Sequence, residues 1–362
     1  MKINRLIQTG LQTVLLLGWG CLLTNCADDA DLVNGRQDRQ DGEYLYVASL
    51  TRNGDAVVSD PMKGKDVQLF LVINGTVNQS GPIRYNGLGD SGSDVVWDGT
   101  PLVVKPGVDY LVFGFMPAMG SSSSLLVNED KTVGTMTING LPTVTDQDIC
   151  IVTGVKAGLP TEENPLTPGN YAYHAPENTA LGYGISLLAN HLYSAAQLKF
   201  KIGMEYSKLR RIVLKQVTLK NSQKNVKVTI PFNVGNSLEP VGTISVAADG
   251  EGTTSLPLYT PDGGRELKTD ESVDMSFYFL PDMIAGLSIE SEYDVYDTTG
   301  TPGITDERNP IRKNCKAVNN LTTVLGSLDR GAKKNVTMTV MPTYLYLLSD
   351  PDADTPMVVA GD

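Results

Sequence analysis

The amino-acid sequence predicts an all-β protein made of two tandem antiparallel β-sandwiches with few short helices. Apolar and polar residues alternate in many short runs, for example at residues 68–73, 199–202 and 226–230. Alternation with period two is typical of strands with one buried face, and the 36 glycines and 20 prolines provide turn signals between the runs. Hydrophobic residues make up 41% of the 362 residues, which is enough for a core and argues against global disorder.

The predicted strands fall into two groups, separated by the polar stretch 161–181 with its prolines and glycines. We therefore expect an N-terminal sandwich over residues 53–182 and a C-terminal sandwich over residues 183–342. Helix signals are sparse, and the two candidates are 186–197, for a few turns, and 314–325, with Gly326 as its stop. The predicted strands cover residues 44–50, 67–73, 109–115, 132–138 and 149–153 in the first group, and 197–202, 211–219, 226–232, 242–247, 273–280, 287–296 and 335–340 in the second.

Residues 1–25 are predicted to be a lipoprotein signal peptide. Lys2 and Arg5 give a positive start, and residues 14–23 form an apolar run. A membrane-spanning helix needs about 20 apolar residues, so this shorter run favours the core of a signal peptide. Residues 23–26 (LTNC) resemble a bacterial lipobox, which makes Cys26 the predicted lipidated residue. Cys21 is a weaker candidate, and an ordinary secretory signal remains an open alternative.

The charge balance argues against a nucleic-acid partner. The chain carries 41 acidic and 29 basic residues, a net charge of −12, and so lacks the positive surface that phosphate backbones require. It has only two histidines, His174 and His191, and neither a metal centre nor a cofactor is expected. His191 has no second ligand nearby in the sequence and is interpreted as a hydrogen-bonded core or interface residue. Cys150 and Cys315 either pair or stay apart as core thiols.

No enzymatic activity is predicted. Residues 89–92 (GDSG) resemble the nucleophile segment of chymotrypsin-type proteases, but both histidines follow Ser91, and a turn is the better interpretation. Asp350, Asp352 and Asp354 alternate like the start of an EF-hand loop. The glycine and the glutamate that such a loop needs at its sixth and twelfth positions are absent, which favours a solvated acidic tail.

Four parts of the chain carry a family resemblance. They are the lipoprotein start at Cys26, residues 110–117 (YLVFGFMP) with 141–148 (LPTVTDQD), His191 with 195–202 (AAQLKFKI), and 336–342 (VTMTVMP) with 344–350 (YLYLLSD). Together they resemble the fimbrillin family of Bacteroidetes, the subunits of protease-matured type V pili. The resemblance implies sandwiches of transthyretin-like, Greek-key type in a fimbrium subunit that mediates cell adhesion and biofilm formation. The implied partners are other fimbrial subunits and a surface receptor that the sequence does not identify.

The resemblance also implies a maturation step. In this family an arginine-specific protease removes an N-terminal segment with its first strand, and a strand from another subunit fills the gap. Residues 26–52 are then a lipidated propeptide, cut after Arg52 in a turn-rich stretch. Arg36 and Arg39 are alternative sites, but cleavage there leaves the strand attached. The residues of the removed strand that are expected to matter are Tyr44, Leu45, Tyr46, Val47 and Leu50.

The C-terminal tail, residues 343–362, is the candidate donor strand. Pro351 and Pro356 cannot donate ladder hydrogen bonds, which favours a tip or minor subunit over a stalk subunit. The expected location is the outer membrane, as a surface-exposed lipoprotein held by its lipid anchor, and then the fimbrium after maturation. The residues predicted to enter a neighbouring subunit are Tyr344, Leu345, Tyr346, Leu347 and Leu348.

A different class of function stays open. The chain is alternatively a surface-exposed glycan-binding lipoprotein of a polysaccharide-uptake system. Such a protein needs an exposed aromatic platform, and Trp97 is the only tryptophan outside the signal peptide.

Overall fold

The computed structural model describes residues 44–52, 63–86, 102–120, 122–177, 183–233, 243–298, 310–326, 328–341 and the backbone of 358–361. Within these ranges the only helical elements are α1 (Met204–Ser207), α2 (Thr322–Leu325) and a 3₁₀ turn at Pro281–Met283. No helix in this part of the chain has the length and hydropathy needed to cross a membrane.

The described ranges contain 21 strands. In chain order they are β1 (Leu45–Arg52), β2 (Asp66–Ile73), β3 (Thr76–Arg84), β4 (Asp109–Met116), β5 (Ser122–Val127), β6 (Val133–Pro142), β7 (Val144–Thr145), β8 (Cys150–Ala157), β9 (Ala172–His174), β10 (Tyr183–His191), β11 (Ser194–Ile202), β12 (Arg210–Asn221), β13 (Asn225–Asn233), β14 (Ser245–Ala248), β15 (Thr254–Tyr259), β16 (Arg265–Glu266), β17 (Val273–Phe279), β18 (Ser288–Asp297), β19 (Arg312–Asn320), β20 (Lys333–Val340) and β21 (Val358–Gly361).

These strands form four sheets. Sheet I has the order β1-β10-β8-β4-β2-β3, with β9 paired to β4, and sheet II has the order β14-β13-β6-β5. Sheet III has the order β21-β20-β11-β17-β7, and sheet IV has the order β15-β12-β18-β19, with β16 paired to β12. The described pairings are antiparallel except for β1 with β10 and β11 with β20, which are parallel.

Three clusters of buried side chains hold the sheets together. Successive residues of β2 separate the first two: Leu69 and Leu71 belong to core A, on one face of sheet I, whereas Phe70 and Val72 belong to core B, between sheets I and II. This division follows from the alternation of side chains along a strand. Core C lies between sheets III and IV and is built by β11, β12, β17, β18, β19 and β20.

The prediction of an all-β, two-domain protein with few short helices is confirmed. The helix expected at 186–197 is wrong, because these residues form β10 and β11 instead. A short apolar run buried on both faces of a sheet has no period that distinguishes it from a buried helix. The helix expected at 314–325 is likewise replaced by β19 over most of its length, and only α2 remains before Gly326.

The predicted domain bounds stay a prediction. Several pairings nevertheless join residues on the two sides of position 182. β10 lies between β1 and β8 in sheet I, and β13 pairs with β6 in sheet II. The chain after residue 182 therefore supplies strands to both sheet I and sheet II, which pack against each other around core B.

Cys150 and Cys315, the cysteines within the described ranges, form no disulfide with each other. Cys150 belongs to core A and Cys315 to core C. Of the two alternatives left open by the sequence, separate buried thiols are therefore the one found.

Candidate functional site

The first strand lies at an edge of sheet I. Among the strands that the structure describes, β1 pairs with β10, in parallel register from Leu45 opposite Tyr183 to Arg52 opposite Ala189. At its beginning it also touches the segment before β4, because the amide of Leu45 donates a hydrogen bond of 2.9 Å to the carbonyl of Leu102. β10 keeps its second neighbour, β8, on its other side. In the part of the chain that the structure describes, β1 is thus the terminal strand of the sheet.

The side chains of β1 are buried although the strand is at an edge. All residues from Leu45 to Leu50 are buried, and Leu45 and Leu50 are fully inaccessible. Edge strands of soluble proteins commonly carry charged residues or prolines that discourage pairing with other chains. Six successive buried positions without a charge are instead typical of a strand seated in a groove. The apolar side chains of β1 in core A are Leu45, Tyr46, Val47, Ala48 and Leu50.

The groove is shaped to fit particular side chains of β1. A Cβ atom placed on Gly184 of β10 would lie only 2.7 Å from Cζ of Tyr46. The absence of a side chain at Gly184 therefore leaves room for the tyrosine ring, which is itself 6% exposed. Glycine in a strand interior often marks such a close approach.

A buried polar contact lies deeper in the same groove. The hydroxyl of Ser49 donates a 2.5 Å hydrogen bond to the hydroxyl of Ser186, which donates a 2.6 Å hydrogen bond to the carbonyl of Gly158. Both serines are essentially inaccessible, so each hydroxyl needs a protein partner. This chain connects β1, β10 and the residue that follows β8.

The last residue of β1 forms a partly buried ion pair. The guanidinium Nη1 of Arg52 lies 2.5 Å from Oδ2 of Asp148, and the side chains are 14% and 5% exposed. The same carboxylate oxygen accepts a 2.8 Å hydrogen bond from Nδ1 of His191. The sulfur of Cys150 lies 3.7 Å from that nitrogen. The end of β1 is therefore attached to the turn before β8 and to the end of β10.

A cleft of about 200 Å³ opens beside this ion pair. Lys65 and Tyr278 are on its wall, and the ammonium of Lys65 donates a hydrogen bond of 3.3 Å to the side-chain carbonyl of Gln147. The cleft gives solvent a route to the Arg52–Asp148 pair. Its wall is formed by Arg52, Lys65, Pro117, Asp146, Gln147, Asp148 and Tyr278.

Some of the sequence-predicted site residues are described and others are not. Tyr44, Leu45, Tyr46, Val47 and Leu50 lie together at the beginning of sheet I, where Tyr44 forms a bridge to Val103. The sequence predicts Arg52 in a turn-rich stretch, but β1 extends to it and its side chain forms an ion pair with Asp148. The predicted residues that lie outside the described ranges are Cys26, Arg36, Arg39, Ser91, Trp97, Tyr344, Leu345, Tyr346, Leu347, Leu348, Pro351 and Pro356, together with Asp350, Asp352 and Asp354.

Sequence reasoning missed the neighbours of His191. Asp148 and Cys150 are more than 40 positions away in the chain, and the register of β10 with β8 brings His191 directly opposite Cys150. No local spacing signals such a contact. The other histidine, His174, pairs with Asp109 through exposed side chains, with 2.7 Å between Nδ1 and Oδ1.

The end of the C-terminal tail is paired within its own chain. β21 lies antiparallel to β20, from Val336 opposite Gly361 to Thr339 opposite Val358. It forms the edge of sheet III, next to the parallel β20–β11 pair.

No family model and no curated protein matches the sequence. The structure does match solved structures of Bacteroidetes cell-adhesion and fimbrial proteins. A candidate cell adhesion protein from Bacteroides uniformis has a TM-score of 0.41 at 12% identity, covering 89% of this chain and 98% of that one. A fimbrial protein from Bacteroides vulgatus has a TM-score of 0.39 at 9% identity, covering 87% of this chain and 97% of that one. The fimbrial anchor protein Mfa2 from Porphyromonas gingivalis has a TM-score of 0.34 at 10% identity, covering 88% of this chain and 96% of that one.

Proposed function

We propose that the protein is a fimbrial subunit that is exported as a lipoprotein on Cys26 and trimmed after Arg52. In the groove that β1 leaves, it then accepts a strand from a neighbouring subunit. The observation that carries this proposal is the position of β1, which is terminal in sheet I and yet buried along residues 45–50. A strand with these two properties can leave without breaking the sheet, and its departure creates a site for another strand.

Removal of β1 leaves most of sheet I in place. β10 remains paired with β8, and sheet I continues through β4 to β2 and β3. A strand in the middle of the sheet would lose two ladders and divide the sheet when removed. The proposed mature body, residues 53–342, thus keeps the connected part of both sandwiches.

The empty groove favours refilling. Loss of β1 leaves unpaired backbone groups on β10 and removes five apolar side chains from core A. Each large apolar side chain buried from water contributes roughly 1.5–3 kcal/mol, and each ladder hydrogen bond contributes about 1 kcal/mol net. A strand that restores both kinds of contact binds by β-strand addition, with main-chain bonds giving affinity and side-chain pockets giving specificity.

The tail suggests a position in the fimbrium. Tyr344, Leu345, Tyr346, Leu347 and Leu348 are the proposed donor residues, but Pro351 and Pro356 interrupt any longer ladder. The pairing of β21 with β20 also engages the end of the tail within its own chain. Both features favour a tip or minor subunit, which accepts a strand more readily than it donates one. Adhesion to a host or bacterial surface is the corresponding role.

The maturation step is tested with purified precursor and an arginine-specific protease. We expect a single stable product whose N-terminal residue is Asn53, and loss of that product in the Arg52→Lys variant. The double variant Arg36→Lys, Arg39→Lys is the matched control and should still give the product that begins at Asn53. A stable product that begins at residue 37 or 40 and keeps β1 would contradict the proposal.

Strand acceptance is tested on the trimmed protein. After β1 is separated, a synthetic peptide of residues 44–52 should bind with one-to-one stoichiometry and raise the thermal unfolding midpoint. The control peptide has the same composition in scrambled order. Equal binding of both peptides, or binding of neither, would show that the groove does not bind a strand specifically.

A further inference from the structure

A carboxylate, a thiol and an imidazole meet at the end of β1. Asp148, Cys150 and His191 each offer one ligand atom, and these atoms all lie within 4.8 Å of one another. Cys150 is the first residue of β8 and His191 the last of β10, and the two are direct partners in the antiparallel register. Asp148 lies in the turn just before β8. Rigid strands therefore position two of the three groups.

The spacing of these groups suits a tetrahedral zinc ion. Zinc bonds of about 2.3 Å to sulfur and about 2.0–2.1 Å to nitrogen place neighbouring ligand atoms about 3.3–3.6 Å apart. The observed separation is 3.7 Å between Cys150 Sγ and His191 Nδ1, and 2.8 Å between that nitrogen and Asp148 Oδ2. The second pair has to open by a fraction of an ångström, and the sulfur of Cys150 lies within 4.8 Å of the Asp148 carboxylate.

One oxygen of the carboxylate has no hydrogen-bond partner among the residues that the structure describes. Oδ1 of Asp148 is buried and accepts no hydrogen bond from the described residues, whereas Oδ2 is bonded to both Arg52 and His191. A buried carboxylate needs positive charge and hydrogen bonds to offset the loss of water. In the precursor the guanidinium of Arg52 supplies that charge, at the position where a metal ion would otherwise be attracted.

We propose that Asp148, Cys150 and His191 form a zinc site whose cation position Arg52 occupies until the end of β1 is withdrawn. Zinc binding releases the proton of the Cys150 thiol, and Nδ1 of His191 must also be deprotonated, which leaves the ring proton on Nε2. Of the three ligands, Asp148 lies on the wall of the adjoining cleft. Water is the fourth ligand of the proposed site, and it enters from that side. The link to maturation rests on the proposed function, because it is trimming that removes Arg52.

The site itself is tested on the full chain, without any protease. Cobalt(II) is the probe, because a cobalt–thiolate bond gives a charge-transfer absorption band that zinc abolishes on displacement. Arg52→Ala removes the competing cation, and Arg52→Lys is the matched control that keeps it. We expect one cobalt ion per chain in Arg52→Ala, bound at least about tenfold more tightly than in wild type or Arg52→Lys, with the band lost in Arg52→Ala, Cys150→Ser.

Two results would overturn the proposal. One is a folded Arg52→Ala protein that binds cobalt and zinc no more tightly than wild type. The other is an absorption band that survives Cys150→Ser. Circular dichroism establishes that each variant is folded, and Arg52→Gln replaces Arg52→Ala, with the same expectations, if the alanine variant does not fold. Since no cleavage is involved, failure here leaves the proposed function standing, and failure of trimming leaves this result unaffected.

Discussion

The guanidinium of Arg52 and the carboxylate of Asp148 form an ion pair, with 2.5 Å between Nη1 and Oδ2, that ties the last residue of β1 to the turn before β8. Arg52 is also the residue at which we propose cleavage. An arginine-specific protease must take the side chain into its own pocket, so Arg52 has to leave Asp148 first. Cleavage is therefore expected to follow a local opening of the end of β1.

Asp148→Asn is expected to accelerate cleavage after Arg52. The amide lacks the charge that holds the guanidinium, so the end of β1 opens more often, and each 1.4 kcal/mol of lost pairing raises the open population about tenfold. The free energy of unfolding should fall by roughly 1–3 kcal/mol. The measurement is the rate at which the product beginning at Asn53 appears. Asp146→Asn, on the same turn but not paired with Arg52, is the control, and an unchanged rate in Asp148→Asn would refute the idea that this pair restrains cleavage.

Gly184→Ala is expected to destabilise the precursor by about 1–2 kcal/mol, because the new methyl group would overlap the ring of Tyr46. In a Tyr46→Val background the ring is gone, and the same change should become neutral or slightly stabilising, since alanine is less flexible than glycine. Urea denaturation of the four proteins completes a double-mutant cycle. An identical cost in both backgrounds would mean that the fit of Tyr46 against Gly184 does not shape the groove.

A pH-dependent contribution to stability is expected in sheet IV, which does not contain β1. A hydrogen bond from Lys220 lowers the pKa of Glu290 below its usual 4.5, outweighing the opposing effect of burial, and the charges of Lys220 and Lys316 add to the decrease. A depressed pKa means that the ionised form stabilises the fold above the usual pKa, and that this stability is lost as pH falls through the folded-state value.

Glu290→Gln should therefore lower the free energy of unfolding by about 0.5 kcal/mol at pH 7, and the difference from wild type should shrink below about pH 4. Chemical denaturation across this pH range measures it. Glu205→Gln, which removes an exposed pair between Glu205 of α1 and Lys208, serves as the comparison. A difference that grows toward acid pH would reverse the expected sign.

Local patterns in the sequence predict where the strands lie better than they predict which strands pair with each other. Alternation located β13 and β18 because each has one face in a core. β2 instead has side chains in both core A and core B. Alternation did not reveal that β1 pairs in parallel with β10, a contact between residues about 138 positions apart (Leu45 with Tyr183). Register over such separations depends on the packing of whole sheets, and no local signal encodes it.

The candidate site likewise has features that the sequence predicts and features that it does not. The buried strand at 44–50 could be predicted from its own residues, since an apolar run bounded by polar turns is a strand signal. The ion pair of Arg52 could not, because Asp148 is 96 positions away. The turn chemistry after residue 52 favoured a loop, whereas pairing with Ala189 and Asp148 extends β1 to Arg52. His191 was correctly interpreted as hydrogen-bonded, but its partners emerged only from the β8–β10 register.

The most direct test of the central claim is amide hydrogen exchange in β10, the strand that β1 covers. Mass spectrometry of the peptides spanning residues 183–191 should show protection in the precursor and a loss of protection in the trimmed monomer from which β1 has been separated. Protection should return when the trimmed subunit is joined to a neighbour. The account predicts all three states in that order. Exchange in β10 that is as fast in the assembled fimbrium as in the trimmed monomer would contradict it, because the groove would then be empty in the polymer.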